Sequence, residues 1–102
     1  MTEKINKTSE VIELDQPIKR GDTEITSVTI RKPKSGELRG VRLQVLLEMD
    51  VNSMTEVLPR ITVPTLTRDE IGVMEPGDLL NMSIAVVNFL LPKSMQNNYP
   101  QD

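Results

Sequence analysis

Residues 11–31 read VIELDQPIKRGDTEITSVTIR, two runs of alternating apolar and polar side chains separated by a glycine. In the first run Ile12, Leu14 and Ile18 fall on even positions, with acidic side chains between them. The second run, ITSVTIR, is rich in β-branched residues and alternates in the same way. A period of two is typical of a strand with one buried face. We therefore predict a β-hairpin whose first strand lies at a sheet edge or bends at Pro17, which has no amide hydrogen to donate.

The connection between the two runs contains Arg20-Gly21-Asp22, a tripeptide that adhesion receptors read in extracellular ligands. A phosphate-binding loop would need more glycines and a helix directly after it, whereas a strand pattern follows here. The N-terminal residues MTEKINKTSE do not have the apolar core of an export signal. Gly21 tolerates a positive φ, and an aspartate can bond its own backbone in a tight turn. We interpret the tripeptide as the turn of the hairpin.

Helical patterns begin after the hairpin. Ser35 is a candidate N-cap for the first of them. Apolar residues then recur at spacings of three, four and four, which is one side of a helix: Leu38, Val41, Val45 and Met49. We expect Leu38, Val45 and Met49 to join the core. Gly40 weakens the middle of this segment, so one helix and two short helices meeting near Gly40 both remain open.

Caps and prolines divide the chain beyond this point. Asp50 is a candidate cap of a short helix, and Pro59 and Pro64 bracket an extended link. Thr67-Arg68-Asp69-Glu70 has the pattern of a capping box that opens a further short helix. Pro76 suits the first position of a last helix. Together these patterns predict an α+β fold, an N-terminal β-hairpin followed by a small bundle of three to five short helices.

Length and composition indicate one small domain. The chain has 102 residues, of which 37 % are hydrophobic and only 2 % aromatic, so its core must be aliphatic. Residues 1–10 and 93–102 are polar and are predicted to be disordered. This leaves a single domain at residues 11–92, with the hairpin at 11–32 and the helices at 35–92.

The residue types that are absent limit the chemistry. The sequence has no cysteine and no histidine, which removes thiolate nucleophiles, the usual general base and the commonest metal ligand. Neighbouring carboxylates occur at Glu13 and Asp15 and at Asp69 and Glu70, but a solvated strand face and a capping box explain them more simply. We predict a protein that is not an enzyme and that uses no cofactor or metal.

One segment favours a different function. Residues 31–42, RKPKSGELRGVR, hold basic side chains that could contact phosphates: Arg31, Lys32, Lys34, Arg39 and Arg42. The segment has no aromatic side chain for base stacking, and the formal net charge of the chain is −3. A charged hairpin end that continues into a solvated helix face is the simpler interpretation. A small nucleic-acid-binding regulator remains the alternative function.

The predicted last helix, from Pro76 to Leu91, is apolar around nearly its whole circumference. It is too short to span a bilayer, which takes about 20 residues. A helix of this kind must be buried on nearly all sides, either by the rest of the chain or by a partner, and both interpretations remain open. The residues that would contact a partner or a second copy are Leu79, Leu80, Met82, Ile84, Val87, Phe89 and Leu91.

Three motifs follow one another along the chain and read TIRKPKSGELRG, LPRITVPTLT and PGDL, the last opening an apolar helix that ends in FLLPK. In this order they resemble the motifs of the tail assembly chaperones of contractile-tailed bacteriophages, the protein-E-like group of Mu-like and related phages. The residues that fit are Arg31, Pro33, Gly36, Leu38, Arg39 and Gly40 in the first motif, Leu58, Pro59, Arg60, Ile61, Thr62 and Pro64 in the second, and Pro76, Asp78 and Leu79 in the third.

The resemblance implies a non-enzymatic role in virion assembly. Proteins of this family look like factors that bind and solubilise the long, mostly helical tape measure protein before the tail tube polymerises around it. The resemblance further implies self-association, action in the host cytoplasm, no membrane partner and absence from the mature virion. A minor structural protein of the tail is a further alternative.

Overall fold

The computed structural model describes residues 8–92, and this part of the chain has an α+β fold. A long antiparallel hairpin comes first, formed by β1 (Ser9–Arg20) and β2 (Thr23–Arg31). The elements that follow are a 3₁₀ helix (Ser35–Leu38), α1 (Leu43–Leu47), α2 (Val51–Ile61), β3 (Thr62–Val63), α3 (Arg68–Val73) and α4 (Pro76–Leu90). The predicted hairpin followed by short helices is therefore confirmed.

The hairpin turns at Gly21 and Asp22, between the paired residues Arg20 and Thr23. Gly21 has a φ of 60°, a left-handed conformation that glycine adopts at little cost. The pairing between the strands is interrupted between Glu13 and Ile18, around the proline that was predicted to bend the strand. β1 is also an edge strand of the sheet, whose order is β1-β2-β3.

β1 begins at Ser9, two residues before the predicted start of the domain. Residues 1–7 and 93–102 lie outside the described part of the chain, so the predicted disorder of the two ends concerns mainly residues that the structure does not describe. β3 was not predicted, and it pairs its two residues with Thr29 and Ile30 of β2.

The core lies between one face of the hairpin and the helices. It is aliphatic, as the composition predicts, and its side chains are Leu14, Ile18, Ile25, Val28, Ile30, Leu46, Met54, Val57, Leu58, Ile61, Leu66, Ile71, Met82, Ala85 and Val86. Only side chains on alternate positions of β1 enter it, because successive residues of a strand point to opposite faces.

The segment after the hairpin forms two short helical elements, as one of the two open alternatives predicts. Gly40, with a φ of 84°, separates the 3₁₀ helix from α1. The break changes the helical register, so Leu46 is the fully buried residue of α1 and Val45 is only half-buried. The expectation that Met49 joins the core is wrong, because Met49 lies beyond the end of α1 and is exposed.

The extended link predicted between Pro59 and Pro64 is confirmed from Thr62 onwards, where β3 begins, but it is wrong for Arg60 and Ile61, because α2 continues through Pro59 to Ile61. A proline inside a helix costs about 3 kcal/mol. Leu58 and Ile61 flank it and are buried, and burying such side chains stabilises a fold by about 1.5–3 kcal/mol each. Tertiary burial therefore outweighs the local cost.

The predicted helix starts are confirmed in three places. Asp50 caps α2 by accepting the N–H of Ser53 at 2.9 Å. Thr67 and Glu70 form the capping box of α3, with both hydrogen bonds at 3.0 Å. Pro76 is the first residue of α4. Ser35, in contrast, does not cap the 3₁₀ helix but is its first residue.

Candidate partner-binding surface

A buried carboxylate anchors α4 to the hairpin. Asp78 lies in the first turn of α4 and is fully buried. Its Oδ1 accepts the backbone N–H of Asp15 at 2.8 Å, and its Oδ2 accepts that of Gln16 at 3.1 Å. Both amides lie where β1 leaves its register with β2, so the carboxylate satisfies donors at the irregular part of the strand. This contact sets the position of α4 against the sheet.

The inner face of α4 belongs to the core. Met82, Ala85 and Val86 are buried there. Ser83 is also buried, and its hydroxyl donates to the carbonyl oxygen of Leu79 at 2.8 Å. Met82 was a predicted contact residue, but its side chain has 0 % exposure, so in this fold it is a core residue and is not accessible to a partner.

The outer face of α4 remains partly apolar. Leu80 is 52 % exposed and Ile84 is 41 % exposed. Val87 and Leu91 continue the same side at spacings of three and four residues, and both are half-buried. We call Leu80, Ile84, Val87 and Leu91 the α4 stripe. Leu79 and Phe89, the other two predicted contact residues, are half-buried and pack against the core, and Val87 of the stripe also packs against it.

A second exposed apolar group lies at α1 and at the junction of α1 with α2, and it was not predicted. Its members are Leu43, Leu47, Met49 and Val51, with exposed fractions of 55 %, 41 %, 36 % and 58 %. We call these four residues the α1 patch. The spacing of Leu43 and Leu47 by four residues is the signal in the sequence that could have identified it. α1 also lies against α4.

The arginine of the hairpin turn has a structural partner. Arg20 donates to both carboxylate oxygens of Glu70, at 2.9 and 2.6 Å, and to the carbonyl oxygen of Thr65 at 2.8 Å. This hydrogen bonding lowers the pKa of Glu70 from 4.5 to about 2 and raises that of Arg20. The interpretation of the tripeptide as a turn therefore accounts for its arginine as well, because Arg20 ties the hairpin to the start of α3.

A second arginine network holds the 3₁₀ helix. Arg31 donates to both oxygens of Glu37, at 2.9 and 2.6 Å, and to the carbonyl oxygen of Arg60 at 2.9 Å. Arg60 in turn donates to the carbonyl oxygens of Glu37 and Arg39, at 2.7 and 3.0 Å. The hydrogen bonds from Arg31 lower the pKa of Glu37 to about 2.

The remaining basic residues of this segment have no such partners. Lys32, Lys34, Arg39 and Arg42 are exposed, and within residues 8–92 none of their side chains forms an ion pair. In the same span no three or more carboxylates converge as a metal site would require, and no helix has the length and apolar character needed to cross a membrane.

The model of the family described as phage tail assembly chaperone proteins, E, or 41 or 14, matches residues 11–91. The chain belongs to this family. Tail assembly protein E of Escherichia phage P2 is 45 % identical to this chaperone over 86 residues, which are 84 % of the chain and 94 % of the relative. Tail assembly protein E′ of the same phage is 40 % identical over 92 residues, which are 90 % of the chain and 65 % of that relative. No solved structure matches the chain.

Several residues that carried the family resemblance hold the chaperone together. Arg31 and Arg60 form the network around the 3₁₀ helix, and Asp78 anchors α4. Gly40 has a positive φ. The exposed apolar residues Leu80 and Ile84 lie outside the three motifs. These motif residues therefore stabilise the fold, and the exposed apolar residues of α4 lie outside the motifs.

Proposed function

We propose that this tail assembly chaperone binds the tape measure protein through the α4 stripe and keeps it soluble until the tail tube polymerises around it. The observation that carries the proposal is the exposure of Leu80 and Ile84 on a helix whose opposite side is in the core. Before the tail tube polymerises, a long amphipathic client exposes apolar stripes to solvent. Packing of one helix against another is a common way to cover such stripes.

The size of this surface favours many weak contacts. Leu80 and Ile84 are about half exposed, so covering them contributes on the order of 1 kcal/mol each. Such a contact is weak for one chaperone. Several chaperones along one extended client, and contacts between neighbouring copies, would bind far more tightly by multivalency. Weak individual contacts also release readily when the tube replaces them.

The same proposal places the chaperone in the host cytoplasm and outside the mature virion, without enzymatic activity. Purified virions offer a direct test of this part. The chaperone should be absent from them when tail proteins are separated by mass. Its presence in fixed stoichiometry would instead identify it as a minor structural protein of the tail.

The substitution Ile84→Asp tests the contact surface. Tape measure protein encoded by the same phage is co-expressed with wild-type or variant chaperone, and its soluble, co-purifying fraction is measured. We expect Ile84→Asp to lower this fraction at least fivefold, because a carboxylate in the contact must be desolvated. Asn81→Asp is the matched control, since Asn81 is an exposed polar residue on the same helix. Circular dichroism shows whether each variant is folded.

An equal yield of client with the folded Ile84→Asp variant and with wild type would remove the α4 stripe from the proposal.

The nucleic-acid alternative has its own test, which is titration of the chaperone with duplex DNA at several salt concentrations. Tight binding that falls steeply with salt would support the regulator instead.

A further inference from the structure

We infer that the α1 patch is a second docking surface, and that its partner is an amphipathic helix with carboxylates beside its apolar stripe. The inference rests on the proposed function in one respect only, which is that the helix is taken to be a segment of the tape measure client. It adds the chemistry of the segment that is recognised and a surface separate from the α4 stripe.

The geometry of α1 favours docking over packing within the chain. Leu46 is completely buried and holds α1 in the core, while Leu43 and Leu47 share the outer side of this helix at a spacing of four residues. Val51 extends the apolar surface into α2. These three side chains are therefore open to a partner.

The backbone at Met49 supports the same conclusion. Met49 has a φ of 60°, and among residues 8–92 it is the one non-glycine residue with a positive φ. This conformation is unfavourable for a side chain with a Cβ, and glycine would adopt it more easily. The chain instead keeps a flexible thioether at the surface. Methionine suits surfaces that accept helices of varied sequence.

The charges around the patch indicate the charge of the partner. Arg42 directly precedes α1, and Arg39 ends the 3₁₀ helix before it; both are exposed and without ion pairs among residues 8–92. Arg31 and Arg60 are engaged by Glu37 and by backbone carbonyls. Glu48 and Asp50 are the carboxylates at the far end of the patch, and Asp50 already accepts two hydrogen bonds from Ser53, so the arginines make the opposite end of the patch cationic. Carboxylates on the partner near Arg39 and Arg42 would complement this cationic end.

The same observations favour a protein over a nucleic acid. The α1 patch places four exposed aliphatic or thioether side chains next to the basic residues, and apolar side chains gain little from a phosphate backbone. None of the patch residues is aromatic, so base stacking is not provided.

Two synthetic amphipathic peptides test the inference. They share one leucine stripe and differ only in the flanking positions, which are glutamate in one and lysine in the other. Fluorescence anisotropy measures their binding to the full chaperone. We expect the glutamate peptide to bind at least fivefold more tightly, and expect added salt to reduce this ratio. Equal binding of both peptides, or preference for the lysine peptide, would overturn the inference.

Variants then locate the binding surface. Leu43→Gln should weaken binding of the glutamate peptide about fivefold. Val73→Gln should leave this binding unchanged, because Val73 is an exposed apolar residue of α3 outside the patch. The double variant Arg39→Glu/Arg42→Glu should reverse the preference between the peptides. Met49→Gly should weaken binding about fivefold while the thermal midpoint stays equal or rises, since the strained backbone is relieved. Unchanged peptide binding by the folded Leu43→Gln variant would assign the binding to another surface.

Full-length tape measure protein separates this inference from the proposed function. If Ile84→Asp removes client binding while Leu43→Gln and Arg39→Glu/Arg42→Glu leave it intact, the α1 patch is not a client surface and the proposed function stands. If the client does not bind at all while the glutamate peptide binds at the patch, the proposed function fails and the patch remains a docking surface. If neither peptide binds and duplex DNA binds through Arg39 and Arg42, the partner of this surface is a nucleic acid and the inference is wrong.

Discussion

At the scale of the residue, Asp78 is the side chain on which the arrangement of hairpin and helix depends most directly. It is a fully buried carboxylate that accepts two backbone N–H groups from a part of the chain more than 60 residues away. A buried polar group is costly unless its hydrogen bonds are made. The carboxylate therefore needs the two N–H groups as donors, and these N–H groups need the carboxylate as acceptor. Asp78 therefore acts as a joint between the two halves of the fold.

Replacing this joint should destabilise the chaperone while leaving its shape recognisable. In Asp78→Asn an amide N–H₂ would face one of the two backbone donors, Asp15 or Gln16. We expect a loss of about 1.5–3 kcal/mol in the free energy of unfolding, measured by urea denaturation. The control is Asp69→Asn, an exposed carboxylate in the first turn of α3, with an expected loss below about 1 kcal/mol. Equal losses in the two variants would contradict the assigned role.

The two arginine-bound carboxyls should make stability depend on pH. Glu37 and Glu70 have their pKa lowered from 4.5 to about 2. Because the folded pKa lies below the unfolded one, their stabilisation is complete above the unfolded pKa and is lost as pH falls towards the folded pKa. We expect the thermal midpoint to decline from about pH 5 downwards and to have lost this contribution near pH 2.

The double variant Glu37→Gln/Glu70→Gln checks the origin of this decline. It should have a lower thermal midpoint than wild type at neutral pH and a flatter profile in acid, because the shifted groups no longer titrate. Glu75→Gln is the control, an exposed position for which the wild-type profile is expected. Parallel profiles for the double variant and wild type would show that other carboxyls cause the decline.

At the scale of the element, α4 has two faces with different tasks. Its inner face contributes Met82, Ala85 and Val86 to the core, and its outer face exposes Leu80 and Ile84. Asp78 and Pro76 start the helix in the orientation that produces this division. The apolar circumference that was apparent from the sequence is thus divided between burial within the chain and surface.

Alanine substitutions on the two faces of α4 should separate these tasks. Val86→Ala removes buried methyl groups and should cost about 2 kcal/mol in the free energy of unfolding, measured by urea denaturation. Ile84→Ala removes partly exposed atoms and should cost less than about 1 kcal/mol. The order of the two losses is the decisive result. A larger loss at Ile84 would place that side chain in the core and remove it from the α4 stripe.

At the scale of the whole molecule, the chaperone is a small chain with apolar side chains exposed on two neighbouring helices. A domain of this size buries a smaller share of its surface than a larger one does, and its largest exposed patches are often functional. α1 lies against α4, so the α1 patch and the α4 stripe belong to helices that are in contact. This arrangement supports the proposal that copies of the chaperone associate with one another as well as with a client.

Self-association can be measured by sedimentation velocity over a range of protein concentrations. We expect the average mass of wild type to rise above the 11.5 kDa of the monomer as concentration increases. The double variant Leu43→Gln/Ile84→Asp should stay at the monomer mass, because both apolar surfaces are altered. Val73→Gln should behave as wild type. A wild type that is monomeric at all concentrations would exclude self-association through these faces.

The sequence predicted those features that depend on residues near each other in the chain. The alternation in β1 and β2, the turn at Gly21 and the capping box at Thr67 were all confirmed, because each is a local property of backbone conformation or hydrogen bonding. The family was also recognisable, because its three motifs, the first of which contains Arg31, follow one another in a set order along the chain.

The tertiary structure decided everything that depends on which side of an element is covered. In the folded chain α2 continues past Pro59 to Ile61. Met82 and Leu46 are buried, whereas Met49 and Leu43 are exposed. It also joined Asp78 to β1 and Arg20 to Glu70, contacts between residues that are far apart in the chain. Local patterns show how much apolar surface an element has, whereas the packing of the other elements determines which part of that surface is buried and which part can bind a partner.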